Sequence, residues 1–275
     1  MSFPSFRSAV AHAAAALCLV AGAATTAQAA PVKNVVLVHG AFVGGAGWRP
    51  VYDILTKDGY NVTLVQEPLT SFKDDVTATK RVIDSLDGPC VLVGHSYGGA
   101  IITEAGNDEH VKSLVYIAAH ALDVGETEVS NGKRYPNATP HEDIVKTADD
   151  YLYLNPADYP RDFAADLPIA QAEFEAHEQM PTAAGVFASE IPDPAWKIKP
   201  TFYLVAKADK IINPDLERMY AKRAHAQTVE IDGASHSVYE SHPKEVAALI
   251  EQAAQQQGQE SDISNEPEPD ISKKP

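Results

Sequence analysis

Short apolar runs alternate with amphipathic stretches along most of the chain. The runs at 34–38, 61–65, 89–93, 112–118, 200–205 and 228–231 are rich in β-branched residues and read as apolar on both faces. Strands of that kind belong in a sheet covered on both sides, which is the habit of parallel sheets in α/β proteins. Between them the spacing becomes helical. Segment 48–57 has Pro50 near its start and Gly59 just past its end, Val76, Val82, Ile83 and Leu86 share one face of 74–86, and Val246, Leu249 and Ile250 share one face of 243–254. Strand, helix and strand in succession predict right-handed parallel crossovers. The pattern therefore predicts an α/β fold with a mainly parallel sheet of about six strands and helices on both faces.

One connection breaks the rhythm. About eighty residues separate the strand ending near Ala119 from the one starting near Pro200, and insertions of that length are usually lids or binding elements. The insertion, about 121–198, is rich in Pro and aromatic residues such as Tyr151, Tyr153, Phe163, Phe187 and Trp196. It reads as a small helical cap, with an extra structural layer as the bland alternative. Residues 255–275 have almost no apolar content and an excess of acid, so a disordered acidic tail is expected. No internal repeat is visible.

The first 29 residues stand apart. Arg7 is their only charge, an apolar core of 12 residues runs over 13–24, and Ala27-Gln28-Ala29 gives a small-x-small cleavage pattern. That combination predicts a signal peptide, hence a protein secreted or periplasmic after cleavage. The apolar core falls short of the roughly 20 residues that cross a bilayer, so no stable membrane insertion is expected. Cleavage would remove Cys18 and leave Cys90 as the single thiol, a small core residue that opens an apolar run. The remaining domain spans 30–254.

Composition narrows the function classes. With 22 Lys+Arg against 38 Asp+Glu, the 275-residue chain carries a formal charge of −16, whereas nucleic-acid affinity comes largely from cations that neutralise phosphates. No nucleic-acid partner is expected. The charge says nothing of oligomeric state, which stays open.

The candidate chemistry lies where strands end. Gly94-His95-Ser96-Tyr97-Gly98 follows an apolar strand and precedes a helix-compatible run, the strand-turn-helix context in which a serine is held on a sharp turn above the sheet. A serine hydroxyl needs a base to take its proton and a carboxylate to orient that base. Of the ten histidines, His236 sits best, in the loop after the last strand. Asp209 emerges after the preceding strand and is the preferred acid; Asp232, only four residues from His236, is the competitor. His242 reads as a surface residue at a helix start. The glycine-rich stretch from His39 to Trp48 can aim backbone amides into the site, and Phe42 within it is a candidate substrate contact. It contains no G-x-G-x-x-G and no Walker lysine, so nucleotide binding is not expected. His120 and Trp196, near the two ends of the cap, are further candidate lining residues. No metal or organic cofactor is implied, since neither HExxH nor a paired-cysteine pattern occurs.

HGAFVGGAGW, GHSYGG, the Asp209 loop and GASH together resemble the α/β-hydrolase superfamily over about 33–254, and most closely its small bacterial serine esterases related to plant methylesterases and hydroxynitrile lyases. The resemblance implies the α/β-hydrolase fold with a cap insertion, a Ser96–His236–Asp209 triad, and an oxyanion hole formed by the amides of Ala41 and Tyr97. Dehalogenases and epoxide hydrolases carry Asp at the nucleophile position, and hydroxynitrile lyases carry Lys after the catalytic His, where this chain has Ser96 and Ser237. The reading that follows is a serine carboxylic ester hydrolase for small apolar or aromatic esters, working through an acyl-enzyme. A cofactor-free perhydrolase, a carbon–carbon bond hydrolase using the same triad, and a non-catalytic ligand-binding protein are the alternatives.

Overall fold

The computed structural model describes residues 32–256. The expected signal peptide, 1–29, and the tail from 257 lie outside the described residues, while Gln255, placed in the tail by composition, closes the last helix. No helix among the described residues is long and apolar enough to cross a membrane.

The chain runs β1 (Asn34–Val38), α1 (Arg49–Lys57), β2 (Asn61–Leu64), α2 (Phe72–Asp84), β3 (Cys90–Ser96), α3 (Gly98–Ala105) and β4 (Val111–Ala119). The cap follows, with α4 (Glu128–Arg134), β5 (Ile144–Lys146), β6 (Tyr151–Leu154), α5 (Tyr159–Asp162), α6 (Ile169–Glu178) and β7 (Thr182–Ala183). The main fold resumes with β8 (Thr201–Ala206), α7 (Pro214–Arg223), β9 (Gln227–Ile231), α8 (Val238–Ser241) and α9 (Pro243–Gln255). Six strands form one parallel sheet in the order β2-β1-β3-β4-β8-β9, the architecture that the alternation of apolar runs predicts.

The double-faced apolar character of the strands has a direct structural cause. Val36, Leu92, Leu114 and Tyr203 face a core shared with α2, α3, α7 and the cap. Their chain neighbours Val35, Val91, Val115 and Phe202 face a second core under α1, α8 and α9. Successive side chains of a strand point to opposite faces, so a covered sheet needs apolar residues at both parities. Within this sheet only the edge strands β2 and β9 show part-exposed positions along most of their length.

The sheet order places the site. From β1 the chain moves outward to β2 and then crosses back to β3 on the other side of β1. The loops after β1 and β3 therefore diverge, leaving a crevice at their carboxyl ends, where open α/β sheets bind ligands.

The cap has its helices, and also a three-stranded antiparallel sheet, β5-β6-β7. Tyr151-Leu152-Tyr153-Leu154 alternates large side chains on a pleated, partly buried surface, which suits a strand. The cap is pinned to the loop after β1. The Phe42 amide donates to Thr182 Oγ1 at 3.1 Å and the Met180 amide donates to the Phe42 carbonyl at 3.0 Å.

Candidate active site

Ser96 stands on the turn from β3 into α3 with φ of 53°, a left-handed conformation that a residue with a side chain adopts only when its surroundings hold it there. Those surroundings are unusually close. A Cβ at Gly94 would fall 2.5 Å from the Gly98 carbonyl oxygen, one at Gly98 would fall 2.7 Å from the His39 carbonyl oxygen, and one at Gly40 would fall 2.8 Å from the Ser96 Cβ. The glycines of the motif are thus required by contact between backbones. The Ser96 carbonyl accepts from the His120 amide at 3.1 Å, which fixes the turn to the end of β4.

His236 arrives on the loop after β9. Its Nε2 lies 2.8 Å from Ser96 Oγ and its Nδ1 lies 2.6 Å from Asp209 Oδ2. Asp209 Oδ1 is occupied separately, accepting from the amides of Ile211 at 2.7 Å and Ile212 at 3.0 Å. The carboxylate is therefore oriented by its own loop before it meets the imidazole. With Nδ1–H directed at Asp209, the free lone pair of His236 is on Nε2, facing the serine hydroxyl. All three residues are buried.

The competing acid is elsewhere. Asp232 is exposed and pairs with Lys207. His242 binds Ser241 Oγ at 2.9 Å, at the start of α9.

Tyr97 follows Ser96 on the turn, and Ala41 follows Gly40, where a Cβ would fall against Ser96. Among the described residues, neither amide donates to a protein acceptor. Tyr97 also caps the N-terminus of α3, where the helix dipole favours negative charge. Phe42, with φ of 68°, has its ring 6.0 Å from that of Phe187, and Phe187 is 6.0 Å from the Tyr97 ring. These three rings make an apolar wall drawn from loop, elbow and cap.

The other two lining candidates differ. His120 is buried, with Nδ1 3.3 Å from the Tyr220 hydroxyl and Nε2 3.4 Å from Glu128. Burial, with His236 close by, pushes His120 down to about 3, so it is neutral there. Burial raises Glu128 well above the usual carboxylate range. Trp196 is tied to other partners. Its indole N–H donates to the Leu122 carbonyl at 2.9 Å, and the Arg223 guanidinium lies 5.3 Å from its ring centre.

Several supporting residues are not among the sequence candidates. His95 Nε2 lies 2.9 Å from the His236 carbonyl, and burial together with His236 keeps His95 neutral. The Phe163 ring, from the cap, stands edge-on to His236 at 4.6 Å, and its carbonyl accepts from the Ser237 amide at 3.1 Å. Glu217 accepts from the Ala206 amide at 3.0 Å, and burial beside Asp209 raises its carboxyl well above the usual range. A histidine next to the serine could have been flagged from its motif position; a contact from a long insertion has no register from which to find it. Cys90 is buried and its thiol is pushed up to about 12, as suits a core residue. Among the described residues, no cluster of three or more His, Cys, Asp or Glu side chains suits a metal ion.

Comparison with known proteins gives consistent likenesses. The model of the alpha/beta hydrolase family matches residues 35–249. A pheophorbidase from Raphanus sativus is 26% identical over 260 residues, covering 80% of this chain and 93% of the relative. A pyrethroid hydrolase from Sphingobium wenxiniae is 28% identical over 250 residues, covering 80% and 86%. Among solved structures, tomato methylketone synthase I complexed with 2-tridecanone superposes with a TM-score of 0.70 at 18% identity, covering 81% of this chain and 98% of that one. At that identity the likeness is one of fold.

Proposed function

We propose that this chain, which belongs to the alpha/beta hydrolase family, is a serine carboxylic ester hydrolase acting on small apolar or aromatic esters through an acyl-enzyme. The observation that carries the reading is the unbroken hydrogen-bonded line from Ser96 Oγ through His236 to Asp209, 2.8 Å and 2.6 Å long in its two steps, beside two amides without protein acceptors. Relatives named a pheophorbidase, a pyrethroid hydrolase and a carbendazim hydrolyzing esterase support ester cleavage in general.

The chemistry follows from the geometry. Ser96 Oγ attacks the ester carbonyl while His236 Nε2 takes the hydroxyl proton, and the negative charge that develops on the former carbonyl oxygen is met by the Ala41 and Tyr97 amides. Asp209 stabilises the imidazolium. His236 then gives the proton to the leaving alkoxide, and the acyl group stays on Ser96. Water attacks that acyl carbon with the same base, releasing the acid and restoring the hydroxyl. One amide donor of this kind is worth on the order of 3 kcal/mol in the transition state.

The Phe42, Tyr97 and Phe187 rings favour an apolar or aromatic acyl group, and the burial of Ser96 and His236 favours a small one. The signal-peptide pattern of residues 1–29 supports an activity outside the cytoplasm. A panel of nitrophenyl esters from two to sixteen carbons, with benzoate and phenylacetate esters alongside, tests the reading. Turnover is expected to peak at short or aromatic acyl groups; a peak at the long-chain end contradicts the substrate class, and no turnover of any ester contradicts the activity.

A further inference from the structure

Beside the acid of the triad sits a second carboxyl that the ester-cleaving steps leave idle. Glu217 lies in the first turn of α7, which packs against β8, and its side chain is fully buried. Its Oε2 accepts from the Ala206 amide at 3.0 Å, at the close of β8. Its carboxyl is also hydrogen-bonded to that of Asp209. The Asp209 amide in turn donates to the Ala206 carbonyl at 3.1 Å. Ala206 thus ties both acids to one strand end.

Two carboxyl groups share a hydrogen bond only when one of them carries a proton, because an ionised carboxylate is an acceptor alone. Asp209 already takes three donors: the Ile211 and Ile212 amides on Oδ1, and His236 Nδ1 on Oδ2. Glu217 takes one, and among the described residues no donor reaches its Oε1. The shared proton therefore belongs to Glu217, and Asp209 accepts it. The surroundings agree, since burial and the neighbouring Asp209 raise Glu217 well above the usual carboxylate range. Two other ionisable groups act on it. The Arg218 guanidinium is engaged by Glu230 and Asp215 at 2.8–2.9 Å, and Tyr203 gives its O–H to the Ala119 carbonyl.

We propose that Glu217 is a positioning residue for the triad: its carboxyl O–H is donated to Asp209 and, with the two loop amides, holds that carboxylate aimed at His236 Nδ1. This role rests on the ester-cleaving reading and adds a fourth group to the same line. The proton stays on Glu217 throughout, so no step of the reaction passes through it. Without that donor the Asp209 carboxylate is held by fewer bonds on the side away from the imidazole, and the imidazole loses part of its aim at Ser96.

Two variants of the full chain test it. Glu217→Gln offers an N–H in place of the O–H and keeps an oxygen for the Ala206 amide, whereas Glu217→Leu offers neither. Infrared difference spectra at pH 7.5 are expected to show one protonated-carboxyl band present in the wild type and missing from Glu217→Gln. The proton resonance of His236 Nδ1–H is expected near its wild-type position in Glu217→Gln and displaced in Glu217→Leu. With nitrophenyl butanoate, kcat is expected to stay within about threefold in Glu217→Gln and to fall at least about tenfold in Glu217→Leu, with KM changed less than about threefold. If the wild type cleaves no ester, the ester reading falls, while the missing band and the displaced resonance still support the acid pair. If Glu217→Leu does not fold, the band and the kcat of Glu217→Gln decide. No band lost in Glu217→Gln, a kcat loss in Glu217→Gln of about tenfold or more, or a folded Glu217→Leu with wild-type kcat and an unmoved resonance overturns the proposal.

Discussion

The hydroxyl of Tyr97 donates to Asp75 Oδ2 at 2.7 Å, tying the residue after Ser96 to helix α2. Asp75 Oδ1 accepts from the Leu69 amide at 2.8 Å, so one buried carboxyl joins the elbow to the loop before α2. The side chain of Tyr97 thus anchors the residue that follows Ser96 and caps α3.

Tyr97→Phe removes the anchor and keeps the amide. Oδ2 of Asp75 loses its partner in a buried place, which costs about 1–3 kcal/mol. The melting temperature is expected to fall by several degrees while kcat/KM drops less than about tenfold. A loss of activity far larger than the loss of stability contradicts a purely anchoring phenol.

Asp209→Asn is expected to leave the fold intact and lower kcat on the order of 10³- to 10⁴-fold, because an amide in that position no longer selects the Nδ1–H form of His236. Asp232→Asn, at the exposed partner of Lys207, is expected to change kcat little. Ester hydrolysis by the two purified variants separates the acids; equal effects contradict the assignment.

The placement of the triad candidates was legible in the sequence because each sits just past an apolar run that could only be a buried strand. Ser96 ends β3, Asp209 and His236 follow β8 and β9, and parallel strands deliver their ends to one rim. Asp209 lay nearer to His236 in space than Asp232 despite being farther in sequence, since Ala208 donates to the Ala234 carbonyl at 2.9 Å and draws the two loops together. The cap was harder to read. Its length and aromatic content marked an insertion, but the strands β5 and β7 have only three and two residues, too short for a period to show. Phe163 meets His236 through that packing, with no local signal to announce it.

The glycine contacts give a sharp contrast between two exchanges. Gly98→Ala would place a methyl 2.7 Å from the backbone carbonyl oxygens of both Val38 and His39, and is expected to destabilise by about 3 kcal/mol or more. Gly185→Ala, on the cap, meets nothing within 4 Å and is expected to be within about 0.5 kcal/mol of wild type. Urea unfolding of both variants checks this, and comparable stabilities contradict the close approach at the elbow.

His39 and Glu67 oppose each other in their pH dependence. His39 Nε2 accepts from the Glu67 amide at 2.9 Å, and burial lowers its folded pKa to about 4 from 6.5. The unfolded chain therefore takes up a proton first, so stability is full above 6.5 and is lost as pH falls toward 4. Burial raises Glu67 to about 8 from 4.5. Its contribution is full below 4.5 and is lost as pH rises toward 8. Glu67→Gln keeps the acceptor for Thr79 and removes the second slope. It is expected to gain about 2–4 kcal/mol over wild type at pH 8 and little at pH 5, read from denaturation midpoints at both. An equal gain at the two pH values contradicts a protonated Glu67.

The central claim is that Ser96 is a nucleophile made reactive by His236. Exposing the wild type, Ser96→Ala and His236→Ala to a fluorophosphonate probe and locating the adduct by peptide mass measures it directly. One adduct per chain on Ser96 is expected in the wild type, none in Ser96→Ala, and labelling slowed by at least about a hundredfold in His236→Ala. Equal labelling of wild type and Ser96→Ala, or an adduct on another residue, contradicts it.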